Sequence, residues 1–219
     1  MMKLYITPAS PYARLARIVV LEKSLKSQVE QVLAKTRTED SPYYQINPSG
    51  RVPYLITNDG TGIEGSDLIC SYLDNFDGKP LFDSEPGEVA WKARCLEAEA
   101  RSLLDGLAVW LRETYRPENE RSKTVLQHES ARSQRLIDYW EDRIRDPLMN
   151  VGLNVGMSVG MDAGMKGKLN MAQLVLICAL QLELRNPEFR WRLRHPALGN
   201  WSDALSERPS IRATTPEGS

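Results

Sequence analysis

The chain has 219 residues, 28 of them Lys or Arg and 29 Asp or Glu. That length buries a sizeable core without disulfide or metal staples, and the near balance of charge leaves no global field to draw the protein onto nucleic acid or an anionic membrane. Cys70, Cys95 and Cys178 are odd in number, far apart and free of any C-x-x-C spacing, which argues against a disulfide framework, a zinc site or a dithiol pair and fits a reducing compartment.

The opening apolar stretch is too short for a signal peptide, and the apolar run Leu174 to Leu180 is far below a membrane span, so a cytoplasmic setting is expected. Leu4-Tyr5-Ile6 predicts a short buried strand. Pro11 to Ser24 predicts a helix whose inward stripe is Leu15, Ile18, Val19 and Leu21. Val29 to Leu33 predicts a second strand, followed by the turn-rich stretch TRTEDSPYYQINPSG. Next come the strand Tyr54 to Thr57, the turn Asn58-Asp59-Gly60, a return strand near Ile63 and a helix from Ser66 to Leu73. Strand, helix, strand, irregular helix, strand, strand, helix is the order of a small α/β domain with a mixed sheet.

Asn75 to Glu88 is rich in Gly, Pro and Asp and separates two kinds of pattern. The expected domains are therefore 1–77 and 86–219, with 78–85 as a linker. The second is read as all-helical. Val89 to Tyr115 carries Leu96, Leu103, Leu104, Leu107, Trp110 and Leu111 at helical spacing, and the segment ending near Arg145 carries Leu126, Leu136, Ile137, Trp140 and Ile144.

Residues 149–168 place Gly152, Gly156, Gly160 and Gly164 in register, a pattern costly to a soluble helix and read as a loop. Asn170-Met-Ala-Gln173 has the form of a capping box, with Leu169 and Leu174 as its hydrophobic staple. The helix that follows, LVLICALQLEL, is apolar on nearly all faces and is expected to be the most buried element of its domain.

Three places can carry chemistry. Ser10-Pro11 follows the first strand: serine is a good N-cap and proline suits the first helical turn, yet the same helix N-terminus favours an anion. A thiolate held there by the Ser10 hydroxyl would be stabilised, with serine as donor rather than nucleophile, and Thr7 is a second candidate donor. No histidine stands near to act as a base, since His128 and His195 lie in the helical half and are read as surface residues. Pro53 opens the apolar run Tyr54-Leu55-Ile56, an odd place for a residue without a backbone donor. Ser66 opens a helix whose hydroxyl and nearby N–H groups suit a carboxylate. The basic cluster Arg185, Arg190, Arg192 and Arg194 is read as a solvated face.

Four patterns, ASPYARLARIVVL at 9–21, INPSGRVPYL at 46–55, EGSDLICSYLD at 64–74 and the capped helix at 170 followed by HPALGNWSDALSERPSIRATTP at 195–216, together resemble the glutathione S-transferase superfamily, closest to its bacterial Ser-Pro-Phe/Tyr branch. The resemblance implies an α/β plus all-α fold: an N-terminal thioredoxin-like domain with a four-stranded mixed sheet, then a helical bundle. It implies a cis bond before Pro53 that turns the N–H and C=O of Val52 outward to a peptide ligand. Glutathione becomes the expected co-substrate, with no metal, a small hydrophobic electrophile and a homodimer.

The implied site is Ser10 as the catalytic donor, with Thr7, Tyr12, Arg51, Val52, Pro53, Glu64, Gly65 and Ser66 binding glutathione. Gly65 departs from the family pattern, which has an acidic residue or Gln there. Glu64 is displaced by one position, and alternation along a strand sends it to the opposite side. A non-catalytic, protein-binding member of the same fold is the alternative.

Overall fold

The computed structural model describes residues 1–82, 87–150 and 169–216. It divides into two compact units, Met1–Leu81 and Phe82–Ser219. The 151–168 stretch of the glycine repeat and residues 83–86 of the expected linker lie outside the described residues.

The first unit runs β1 (Met2–Ile6), α1 (Pro11–Glu22), β2 (Val29–Leu33), a 3-10 turn (Pro42–Gln45), β3 (Tyr54–Ile56), β4 (Gly62–Glu64) and α2 (Ser66–Asn75). The sheet order is β2-β1-β3-β4, with β1 and β2 parallel and the other pairs antiparallel. A parallel pair needs a crossover, and α1 supplies it. Alternation fails on β1, where Leu4, Tyr5 and Ile6 are all buried, as expected of a central strand. Helix α2 buries Ser66, Ile69, Cys70, Leu73 and Asp74, one face at spacings of three and four, and packs beside α1. The mixed sheet is the one that the order of segments implies, and with four strands and these helices it is the thioredoxin-like arrangement that the family resemblance implies.

Near the far ends of α1 and α2 a buried lysine acts as a clasp. Lys23 Nζ donates to Asp77 Oδ1 at 2.8 Å and to the Lys79 carbonyl at 2.6 Å. The hydrogen bond from Lys23 holds the Asp77 carboxyl below its usual range.

In the second unit the described helices are α3 (Glu88–Thr114), α4 (Lys123–Arg143), α5 (Met171–Leu180), α6 (Pro196–Ser206) and the single turn α7 (Pro209–Arg212). Helix α5 is buried at every position from Ala172 to Leu180 and packs against α3. Its start is fixed by the capping box: Gln173 N–H donates to Asn170 Oδ1 at 3.0 Å, and Asn170 N–H donates back to Gln173 Oε1 at 2.9 Å. The same two side chains reach the turn Pro147–Met149, bonding the carbonyls of Leu148 and Met149. Losing such a cap typically costs about 1 kcal/mol.

Two readings of this unit need correction or detail. His128 is exposed, but His195 is buried at 4% exposure, with Nδ1 2.6 Å from the Trp191 carbonyl oxygen and Nε2 2.8 Å from Asp138 Oδ1. It stands at the N-cap of α6, against α4, and those partners lie too far along the chain for local spacing to reveal its burial. The basic cluster is largely accounted for by local pairing. Arg192 bonds Glu183 and Asp203, Arg185 lies over the Tyr115 ring, and Arg190 bonds the Pro187 carbonyl. No helix among the described residues is long and apolar enough to cross a membrane.

Candidate functional site

The register of the sheet collects the candidate residues at one end of the first unit. Tyr5 pairs with Tyr54, and Tyr54 pairs with Glu64. The exit of β1, the entry of β3 and the exit of β4 therefore form one row. Thr7 to Ser10 leave from it, Val52-Pro53 enter it, and Gly65-Ser66 follow it. Both α1 and α2 begin there, so two helix N-termini, each with backbone N–H groups that no helical carbonyl satisfies, rise from the same edge.

Ser10 is the N-cap of α1, with Pro11 in the first turn, and its Oγ accepts from Ala13 N–H at 3.1 Å. Its own hydroxyl points to the Val52 carbonyl oxygen at 3.5 Å. That is the long limit of a hydrogen bond, so the proton is weakly engaged and free to transfer its bond to a stronger acceptor. No acidic residue sits in the first turn of α1, which leaves the positive end of its dipole uncompensated. Thr7 bonds Ser10 through its backbone, accepting the Ser10 N–H at 3.2 Å. Tyr12 is half-buried within the first turn.

The peptide bond between Val52 and Pro53 is cis. The loop before it is held from inside. Tyr43 Oη–H donates to the Arg51 carbonyl at 2.5 Å, and Asn47 Nδ2 donates to the same oxygen at 3.0 Å. The Arg51 side chain is exposed, while its N–H bonds Ser49 Oγ at 3.2 Å. Neither Tyr43 nor Asn47 was among the residues singled out from sequence. Their roles depend on one carbonyl eight and four residues away, and the only local signal is the Asn-Pro-Ser-Gly turn itself.

At α2 Ser66 opens the helix as expected, and the residue before it is the cap. Gly65 occupies the N-cap position with φ +95° and ψ 123°, no side chain caps the helix, and Ser66 is its first residue, buried at 8% exposure. That φ favours glycine, since a Cβ would be strained there. A Cβ built on Gly65 would also meet Asp67 Oδ1 at 2.9 Å. Glu64, one position before the glycine, accepts the Ser49 hydroxyl at 2.7 Å through Oε1. The acid of this helix start is Asp67, exposed in the first turn.

Chemically, the site offers a weakly held hydroxyl, the half-buried backbone of Val52 and two helix N-termini. Groups of this kind can bind an extended anionic peptide and favour a small anion at a helix start. Among the described residues no group of His, Cys, Asp and Glu is arranged to hold a metal ion.

Residues 4–80 match the family model described as "Glutathione S-transferase, N-terminal domain". Along 217 residues, covering 98% of each chain, the protein is 26% identical to the uncharacterized GST-like protein YibF of Escherichia coli (strain K12). It is 34% identical to glutathione S-transferase 2 of Saccharomyces cerevisiae over 116 residues, covering 50% of this chain and 48% of that one. A glutathione transferase family member from Pseudomonas fluorescens Pf-5, solved with bound glutathione, superposes with a TM-score of 0.82 at 26% identity over 99% of each chain. A glutathione S-transferase from Methylobacillus flagellatus, with glutathione bound, gives 0.80 at 25% identity over 99% of this chain and 100% of that one.

Proposed function

We propose, from the support these comparisons give to a place in the glutathione S-transferase superfamily, that the protein is a glutathione transferase acting on small hydrophobic electrophiles, with detoxification as its role. Within the superfamily we assign it to the Ser-Pro-Phe/Tyr branch, on the residues Ser10-Pro11-Tyr12.

The observation that carries this reading is the approach of the Ser10 hydroxyl to the Val52 carbonyl, as the reading requires of a thiolate donor next to a peptide-binding edge. In this reading the glutathione backbone pairs with Val52, and the carboxylate of its γ-glutamyl end meets the N–H groups and hydroxyl at Ser66. Its thiol lies at the start of α1, where Ser10 exchanges its long bond to Val52 for one to sulfur. The thiol proton leaves to solvent, the sulfur lone pair forms the new C–S bond, and the electrophile's leaving group departs with its electron pair. Alignment of the two reactants and stabilisation of the thiolate supply the rate gain. Tyr12 and Thr7 border the thiol position; Arg51, Pro53, Glu64 and Gly65 border the rest of the tripeptide. The working form is a homodimer in the cytoplasm, with the exposed Val89 and Trp91 near the start of α3 as candidate contacts.

Gly65 favours a second reading, a non-catalytic protein-binding member of the fold, because the family's acid is missing there and Glu64 already accepts a hydrogen bond from Ser49. Titration calorimetry with glutathione separates the two. The transferase reading expects heat with saturation below millimolar concentration; no heat up to millimolar sinks it and leaves the binding module.

A further inference from the structure

We propose that Tyr43 and Asn47 are positioning residues that aim the Val52 N–H out of the fold as the donor for a backbone carbonyl of the bound peptide; this deepens the transferase reading and rests on it. The Arg51 carbonyl receives two buried donors, Tyr43 Oη–H at 2.5 Å and Asn47 Nδ2 at 3.0 Å, and Asn47 also donates to Tyr43 Oη at 3.4 Å. Tyr43 and Asn47 are 4% and 2% exposed.

The peptide joining Arg51 to Val52 is not among the cis bonds, so its C=O and N–H point in opposite directions. Holding the carbonyl inward therefore turns the Val52 N–H outward. That N–H has no hydrogen-bond partner among the described residues. A backbone donor kept without a partner beside a long-bonded carbonyl is an open rung of a ladder, complete only when an extended peptide supplies the acceptor.

The clamp is itself braced. The Tyr43 ring lies 5.5 Å from that of Tyr5 on β1, and Asn47 Oδ1 accepts from Ser49 N–H at 3.2 Å. The backbone between the two residues closes with Asn47 N–H on the Tyr43 carbonyl at 2.9 Å. Burial pushes the Tyr43 phenol up, so it keeps its proton and remains a donor across the working pH range.

Tyr43→Phe keeps the ring packing and removes only the hydroxyl, which makes it the diagnostic variant. Against wild type, glutathione should bind roughly five- to tenfold more weakly, the loss of about one net hydrogen bond. The increase belongs in KM for glutathione, with kcat within about twofold, because the thiol and Ser10 are untouched. Backbone amide spectra give the readout that general loosening would not reproduce: the Val52 amide of wild type shifts and becomes protected from exchange on adding glutathione, and this response shrinks selectively in Tyr43→Phe. A Val52 amide already protected in the free wild type, or unmoved by saturating glutathione, overturns the inference while the transferase reading stands, even if the variant fails to fold. Equal affinity of Tyr43→Phe and wild type does the same. Failure of wild type to bind glutathione at millimolar concentration overturns both.

Discussion

The two helices that begin at the candidate site start in opposite ways. Helix α1 has a side-chain cap, Ser10, a proline in its first turn and no acid there. Helix α2 has a glycine cap in a left-handed conformation, no side-chain cap bond, and Asp67 in its first turn. The first spends a polar side chain on its own backbone yet leaves its dipole uncompensated, so an external anion gains the full interaction. The second already carries its own negative charge, worth typically 0.3–1 kcal/mol at a helix start. The first start is open to an anion; the other is set by backbone shape, with charge as a secondary feature. In the proposed reading this contrast puts the chemistry at α1 and gives α2 the task of holding the far end of the ligand.

Ser10→Asp breaks the comparison most strongly. Aspartate caps as well as serine, so thermal stability should hold or rise slightly, but its charge occupies the place of the thiolate. A cysteine thiol near pKa 8.5 is only ~3% ionised at neutral pH, against ~75% for one lowered by two units, so losing the stabilisation lowers the conjugation rate by roughly 25-fold. Kinetics with a chromogenic electrophile reads this directly, and a rate within a few-fold of wild type would show that α1 does not host the reacting anion.

A smaller effect is expected at the other helix. Gly65→Ala forces a Cβ into a conformation glycine alone adopts freely, at about 1–3 kcal/mol, with Asp67 obliged to move. Urea denaturation should show a lower midpoint with an unchanged slope. An unchanged midpoint would mean that the start of α2 is not strained by a side chain.

The smallest effect lies away from both helix starts and serves as a control. The hydrogen bond from His195, followed by that from Gln134, holds the Asp138 carboxyl below its usual range, and the Thr57 hydroxyl does the same for Asp59. A depressed folded value means that the stabilisation is present above the unfolded aspartate value, about 3.9, and is lost as pH falls through the folded value. Melting temperature should therefore decline below about pH 4, and Asp138→Asn should remove part of that slope without altering the ionisation of bound glutathione. A slope that survives intact would assign the acid sensitivity elsewhere.

The pattern of what sequence discloses follows the same division. Periodicity and turn chemistry mark β2 at its observed bounds, the Ser10 cap and the capping box at Asn170, because each is a local rule acting within a few residues. The clamp of Tyr43 and Asn47 on Arg51, the burial of His195 against Asp138 and the diversion of Glu64 to Ser49 depend on partners brought together only by the folded chain. Gly65 stands between the two cases. Its absence of a side chain is visible in the sequence, but the φ of +95° that gives the absence a backbone reason is not.

Ultraviolet titration of the glutathione thiolate on the protein, in wild type and in Ser10→Ala, tests the central claim most directly. The account predicts that the bound thiol of wild type ionises roughly two pH units below the ordinary cysteine value near 8.5, and that Ser10→Ala returns it toward that value. Glutathione that binds both proteins and titrates at the same pH in each would contradict it.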